Sequence, residues 1–219
     1  MNSPLLQLLV LAGIAVFLIL RLKSVLGTRD GFEKPPASRN GPVTDTRRDF
    51  EVIDGGPDHD ITDYVDEGSD AAAALAEMKR TEPSFRVGDF MQGARGAYEM
   101  ILMAFEGGEL SEIKPFLADD VYETFAEVIE AREEQGLTIE ADFVGIRELT
   151  LQNARFDETT GQAEITMKFI GELTQVVRDR SGEIIEGSPT QVKKQKDVWT
   201  FARPMGTDDP NWKLVATDE

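Results

Sequence analysis

Of the three tyrosines and 41 carboxylates of this chain, two of each are candidates for acid–base chemistry. Tyr98 and Tyr122 can donate a hydrogen bond, and Glu99 or Asp142 can serve as a base. Proton transfer needs such a donor and base aimed into one pocket with tuned pKa values. Other reactive groups are scarce. There is no cysteine, which excludes disulfides, thiol nucleophiles and cysteine-ligated zinc. His59, the single histidine, stands between Asp58 and Asp60 in a polar stretch, the setting of a solvated turn residue rather than a metal ligand or base. No metal site, cofactor or catalytic residue is expected. A tyrosine–carboxylate pair inside a pocket would favour an enzyme; a dry pocket with an apolar rim would favour binding.

The elements that would position these groups begin near Ser69-Asp70, a capping pair ahead of an alanine-rich helix that Pro83 ends. A second helix runs from about Val87 to Phe105. Phe90, Ala94, Ala97, Ile101 and Phe105 recur at helical spacing, with Met91, Tyr98 and Leu102 widening the stripe, and Gly107-Gly108 stops it. Gly93 and Gly96 give it a thin face that suits close approach of a neighbouring backbone or ligand. Ser111–Leu117 reads as a short helical connector. Asp119 and Asp120 open a third helix with Val121, Phe125, Val128 and Ile129 as its stripe and Gly136 as its end.

The period then changes. Residues 142–156 are strand-like but change face between Ile146 and Leu149, as a β-bulge requires. Residues 162–178 alternate, with Ala163, Ile165, Met167, Phe169, Gly171, Leu173 and Val177 on one face. Arg180–Glu183 makes a turn, a third strand occupies about 191–203, and a fourth spans Asn211–Thr217. Helices followed by strands predict an α+β domain over residues 69–219, with helices on one face of a curved antiparallel sheet. A bulged sheet curling round helices leaves a conical apolar cavity, lined here by Phe90, Ala94, Tyr98 and Ile101 of the long helix and by Ile165, Met167 and Phe169 of the sheet. Such a cavity accepts an acyl chain or a partner's apolar side chain, although a Phe- and Met-lined helix also reads as plain core.

Residues 1–23 read as a transmembrane anchor. Pro4–Leu20 carries no charge, and twelve of its residues are Leu, Ile, Val or Phe, contributing about −5 kcal/mol to insertion. Arg21, Lys23 and Arg29 follow the span and no basic residue precedes it. That order puts the N-terminus outside and the C-terminal domain in the cytoplasm, and it is the reverse of a cleaved signal. Residues 24–68, with Pro35-Pro36, Asn40-Gly41-Pro42 and Gly55-Gly56-Pro57, read as a flexible acidic linker. Its apolar island of Phe50, Val52 and Ile53, followed by Ile61, Tyr64 and Val65, is either a partner-binding segment or a strap packed on the protein's own domain.

Charge narrows the partners. The chain has net charge −18, and residues 1–48 hold seven Lys/Arg against three Asp/Glu, so the rest carries −22. Such a surface repels nucleic acid and, the anchor aside, an anionic bilayer.

The anchor, the Phe90–Phe105 helix and the stretch Val198-Trp199-Thr200-Phe201-Ala202-Arg203 with Asp209-Pro210-Asn211-Trp212-Lys213-Leu214 resemble the bacterial TimA adaptor family. That family is similar to the C-terminal domain of mitochondrial inner-membrane translocase subunit 44. The resemblance covers roughly residues 70–219. It implies a cone of the nuclear-transport-factor-2-like type and an adaptor role at the cell inner membrane, in protein translocation or membrane-protein assembly. Inner-membrane proteins, translocase components and a chaperone are the partners it implies, with membrane lipid reached through the N-terminal span. Two alternatives remain: a lipid or apolar-ligand binding domain, and an isomerase-like enzyme in the same cone. An apolar anchor predicts that the protein stays in the membrane fraction after high-salt and carbonate washing. Deleting residues 1–23 should release a soluble folded domain, and carbonate extraction of the full chain would overturn the span.

Overall fold

The computed structural model describes residues 58–218. In chain order its elements are α1 (His59–Thr62), α2 (Asp70–Thr81), α3 (Val87–Gly107), a 3-10 turn (Lys114–Phe116), α4 (Asp119–Gln135), β1 (Thr138–Asp157), β2 (Gln162–Arg178), β3 (Ile184–Pro204) and β4 (Lys213–Asp218). Helices precede strands, as the change of period predicts. The expected anchor over 1–23 and the island of Phe50, Val52 and Ile53 lie outside the described residues. Among the described residues no helix is long and apolar enough to cross a membrane.

Local chemistry sets the helix ends. Ser69 caps α2 by accepting from the Ala72 N–H at 3.1 Å. Gly108 and Gly136 end α3 and α4 in the left-handed conformation, at φ 79° and 70°, which costs a residue without a Cβ little. Asp119 and Asp120 occupy the first turn of α4.

The strands form one antiparallel meander in the order β1-β2-β3-β4. In β1 the register against β2 shifts between Phe143 and Gly145, between Ile146 and Glu148, and between Leu151 and Asn153. The middle shift is the expected change of face, and three such bulges in one strand bend the sheet. In β2 one face is buried from Ala163 to Leu173 by strict alternation. β3 starts at Ile184, well before the expected 191. Its first half is exposed on both faces and broken by a register shift opposite Thr174, so it has no period to read.

α2 and α3 lie over β1 on one face of the sheet. The core draws Leu75 and Met78 from α2, the buried stripe of α3, and Ile165, Met167, Phe169, Trp199, Phe201 and Leu214 from the sheet. The entrance to α4 is tied to β4, where the Ala118 N–H donates to the Leu214 carbonyl at 2.9 Å.

The end of the expected linker is structured. Residues 58–68 include the helical turn α1, and Ile61 is buried in the domain's core. Asp60 does the tying. Its carboxylate accepts from the Val87 and Gly88 N–H groups at 3.0 Å and from Lys79 Nζ at 2.9 Å. Arg86, which precedes α3, gives that helix no side-chain cap. Asp60 therefore caps α3 from 27 residues away, at the end where a negative charge is stabilising. His59 is exposed on α1.

Burial opposes ionisation of Asp60, but the hydrogen bonds from Lys79, Gly88 and Val87 outweigh it and hold its pKa below the ordinary value. A depressed acid stabilises the fold above the unfolded-state pKa, and that contribution is lost as pH falls through the folded value. Asp60→Ala should cost roughly 1–2 kcal/mol in urea unfolding at pH 7. Asp58→Ala should cost less, because Asp58 pairs with Lys79 and accepts from the Asp60 N–H at 3.1 Å only to cap the one-turn α1, and its side chain is 46% exposed. The gap between Asp60→Ala and the parent should begin to narrow as pH falls toward the ordinary value of 3.8 and close only below the lower folded value. Equal losses from the two variants would refute the capping role.

Candidate functional site

The residues expected to line a cavity are brought together as one packed core. Phe90, Ala94, Tyr98 and Ile101 come down from α3; Ile165, Met167 and Phe169 rise from β2; all seven are buried. The Tyr98 ring stacks on Phe169 with centroids 4.3 Å apart and planes 5° from parallel, and it tilts against Trp199 at 4.8 Å. Phe90 meets Phe201 and Trp212 edge-on at 6.1 and 4.8 Å. Gly93 and Gly96 face outward, and a Cβ on either would meet nothing within 4 Å. No neighbouring backbone within the described residues uses the thin face.

Inside this core sits one acid–base pair. Tyr98 Oη donates to Asp197 Oδ2 at 2.6 Å, and Gln195 Nε2 donates to Asp197 Oδ1 at 3.1 Å. Asp197 is 6% exposed. The strand places it there: Asp197, Trp199 and Phe201 alternate inward on β3 opposite Phe169, Met167 and Ile165. Gly171 makes the room, since a Cβ there would stand 2.5 Å from Tyr98 Oη.

Burial, then the hydrogen bond to Asp197 and its charge, push the Tyr98 hydroxyl far above the usual tyrosine range. Tyr98 therefore keeps its proton and acts as a fixed donor. Proton shuttling needs the opposite, a pKa near the working pH and contact with a substrate.

The other candidates are dispersed. Glu99 and Asp142 are exposed, and Tyr122 is half-buried with Lys114 Nζ 4.8 Å above its ring. Sequence reasoning missed Asp197; reading the third strand's alternation back from Trp199 finds it.

Two further polar clusters brace the core. Glu106, itself buried, accepts from Gln175 Nε2 at 2.8 Å beside Arg132. The Arg132 guanidinium lies 4.3 Å above the Phe105 ring and donates to the Phe105 carbonyl at 3.2 Å. Burial lowers the Arg132 pKa against the opposing charge of Glu106. Glu106 and Arg132 border a cleft of about 180 Å³ between the ends of α3 and α4 and the start of β1.

At the opposite end Arg203, 4% exposed, donates to both carboxylate oxygens of Glu82 at 2.9 Å and to the Asp209 carbonyl at 3.2 Å. Its guanidinium lies 5.4 Å from the Trp212 ring. Burial raises the Glu82 pKa, but the Arg203 hydrogen bond and the Gly206 N–H outweigh it and hold the group below its ordinary value. The tryptophan-rich stretch is thus a clasp joining the end of α2 to β3. A wider cleft of about 580 Å³ opens between α2 and the β1–β2 hairpin, bordered by Asp70, Ala74, Arg155, Asp157 and Gln162. Neither cleft is lined by the seven core residues. Among the described residues no cluster of His, Cys, Asp and Glu could hold a metal ion.

Tyr98→Phe should cost roughly 1–3 kcal/mol in urea unfolding, because it removes a donor from a buried carboxyl. Gly171→Ala should cost a similar amount through overpacking. The double variant should lose less than the sum, since the hydroxyl the added methyl strikes is gone; strict additivity would refute this coupling.

The chain is 27% identical over 150 residues to the human mitochondrial import inner membrane translocase subunit TIM44, covering 67% of this chain and 33% of that one. It is 23% identical over 195 residues to TIM44-1 of Arabidopsis thaliana, covering 84% and 40%. It thus spans a third to two fifths of these relatives. Among solved structures, the intermembrane space region of the chloroplast protein ARC6 aligns at a TM-score of 0.37 and 13% identity, over 57% of this chain and 94% of that one; so low a score carries no argument about fold. Residues 71–219, which comprise α2 to β4, match the model of the Tim44-like domain, and the chain belongs to that family.

Proposed function

We propose that this protein is an adaptor of protein translocation or membrane-protein assembly, tethered to a cell inner membrane by residues 1–23 with its domain on the cytoplasmic side. The observation that carries this reading is the match of residues 71–219 to the Tim44-like domain, whose curated relatives are named as subunits of an inner-membrane import translocase. The apolar, positively flanked run at Pro4–Leu20 supports the tether. The bulged sheet under long helices supports a cone of the nuclear-transport-factor-2-like type, and the anchor with the Trp199–Trp212 stretch supports placement among bacterial TimA adaptors.

The core supports a non-enzymatic role. Its one tyrosine–carboxyl pair is enclosed by Phe169 and Trp199, with the tyrosine fixed as a donor. An acyl chain would reach Phe90, Ala94, Tyr98, Ile101, Ile165, Met167 and Phe169 only by parting α3 from the sheet. We assign partner contact to outer surfaces and to the linker segment at Phe50, Val52 and Ile53, whose apolar side chains in an acidic setting suit folding on contact.

Crosslinking in native membranes through a C-terminal tag tests the reading. Translocase, insertase or chaperone components should be recovered, and their yield should fall when Phe50, Val52 and Ile53 are changed together to serine. A crosslinking pattern identical to that of the chain lacking residues 1–23, with no membrane component, would overturn it. A lipid co-purifying one-to-one with the domain would replace it with ligand carriage.

A further inference from the structure

The sheet has one open edge whose chemistry differs from the rest of the molecule. β4 pairs with β3 only from Val198 to Ala202. Just before that, Lys193–Asp197 pairs residue for residue with Leu173–Phe169 of β2, and among the described residues no strand lies on its other side. An edge of this kind presents backbone N–H and C=O groups ready to pair with another chain. Earlier in β3 the line is broken by Pro189 and by the register shift opposite Thr174, which leaves Lys193–Asp197 as the regular part.

Its charge selects an occupant. Residues 188–196 hold three lysines and no acid, in a region that is otherwise strongly acidic. Lys194 and Lys196 project from the sheet's outer face, while Lys193 reaches Gln175 Oε1 at 3.2 Å. Val192 beside them is 48% exposed. The one carboxylate facing Lys194 across the ladder, Glu172, accepts from Arg147 at 3.4 Å.

A second copy pairing through the same edge would set lysine against lysine, which is destabilising. The outer face is not uniformly basic either, since Glu148 and Glu172 share it with Lys168, so a flat anionic membrane fits it poorly. We propose that the edge of β3 at Lys193–Asp197 accepts an added strand from an acidic, extended segment of a partner protein, in line with β4. The segment that fits alternates acidic side chains, which meet Lys194 and Lys196, with aliphatic ones. The inference stands apart from the adaptor reading: it needs no membrane component, and failure of the crosslinking experiment leaves it standing.

The test uses the full chain in detergent and a fluorescent peptide of four Glu-Val repeats, read by anisotropy and by amide hydrogen exchange. The peptide should bind and slow exchange across residues 193–197. Lys194→Glu/Lys196→Glu, both at exposed positions, should weaken binding at least about tenfold, and so should methylation of the peptide's backbone nitrogens, which keeps its charge but prevents pairing. Equal binding of the methylated peptide would show attraction of charge alone and overturn strand addition. Absence of binding, preference for a Lys-Val peptide, or exchange protection by vesicles of anionic lipid in place of the peptide would overturn the proposal as well.

Discussion

The arrangement on which the rest of the domain depends is the burial of Tyr98 between Phe169 and Asp197. A tyrosine brings a large apolar face and a hydroxyl that needs a partner when removed from water. Both demands are met at once, by a parallel stack at 4.3 Å on one side and a 2.6 Å hydrogen bond at the tip. The consequences spread outward. Asp197 must point inward, which fixes the parity of β3 and so sends Trp199 and Phe201 into the core with it. Gly171 must lack a side chain so that the hydroxyl can pass. A slip of one residue between β2 and β3 would put Lys196 or Val198 in the place of Asp197 and turn Trp199 and Phe201 out of the core, so the pair specifies register as well as contributing stability.

Around that centre the fold is closed by contacts between residues far apart in sequence. Asp60 caps α3 across 27 residues, and Glu82 reaches Arg203 across 121. The two clasps act at neighbouring points: Lys79 near the end of α2 holds Asp60, and Glu82 just beyond α2 holds Arg203 and the Gly206 N–H. The α2–α3 corner is therefore pinned on one side by the strap and on the other by the tryptophan-rich end of the sheet. Each clasp buries charge only with its partners in place, which suits positional specificity more than net stability.

What was legible in the sequence follows from which signals are local. Ser69, Gly108 and Gly136 announce helix ends because a cap acts within one turn. Alternation from Ala163 to Leu173 announces β2 because one of its faces is buried. The face change between Ile146 and Leu149 announces a bulge because parity counts residues. The first half of β3 was not legible: a strand exposed on both faces has no alternation, and its place is set by pairing with Val176–Arg178. Asp60 as a cap and Asp197 as the partner of Tyr98 were not legible for a different reason, because both are long-range pairs and an acidic residue in an acidic chain carries no signal of its own. Glu99 and Asp142 were plausible bases by type, but their positions on α3 and β1 turn them to solvent.

These internal pairings also decide where function can reside. Asp197, Glu106 and Glu82 have donors within the domain, and Tyr98 is locked as one of those donors, so the buried polar groups have little left to offer a substrate. The acidic excess lies outside, on α4 with Asp119, Asp120, Glu123, Glu127, Glu130, Glu133 and Glu134, where only Arg132 offsets it. Such a surface repels copies of itself and admits partners by charge, over a distance set by ionic strength. A core whose buried acids are partnered, under an exterior with an acidic excess, fits the adaptor role proposed above. The short edge of β3 at Lys193, Lys194 and Lys196 interrupts that acidic excess, so charge varies locally across one sheet-and-helix frame.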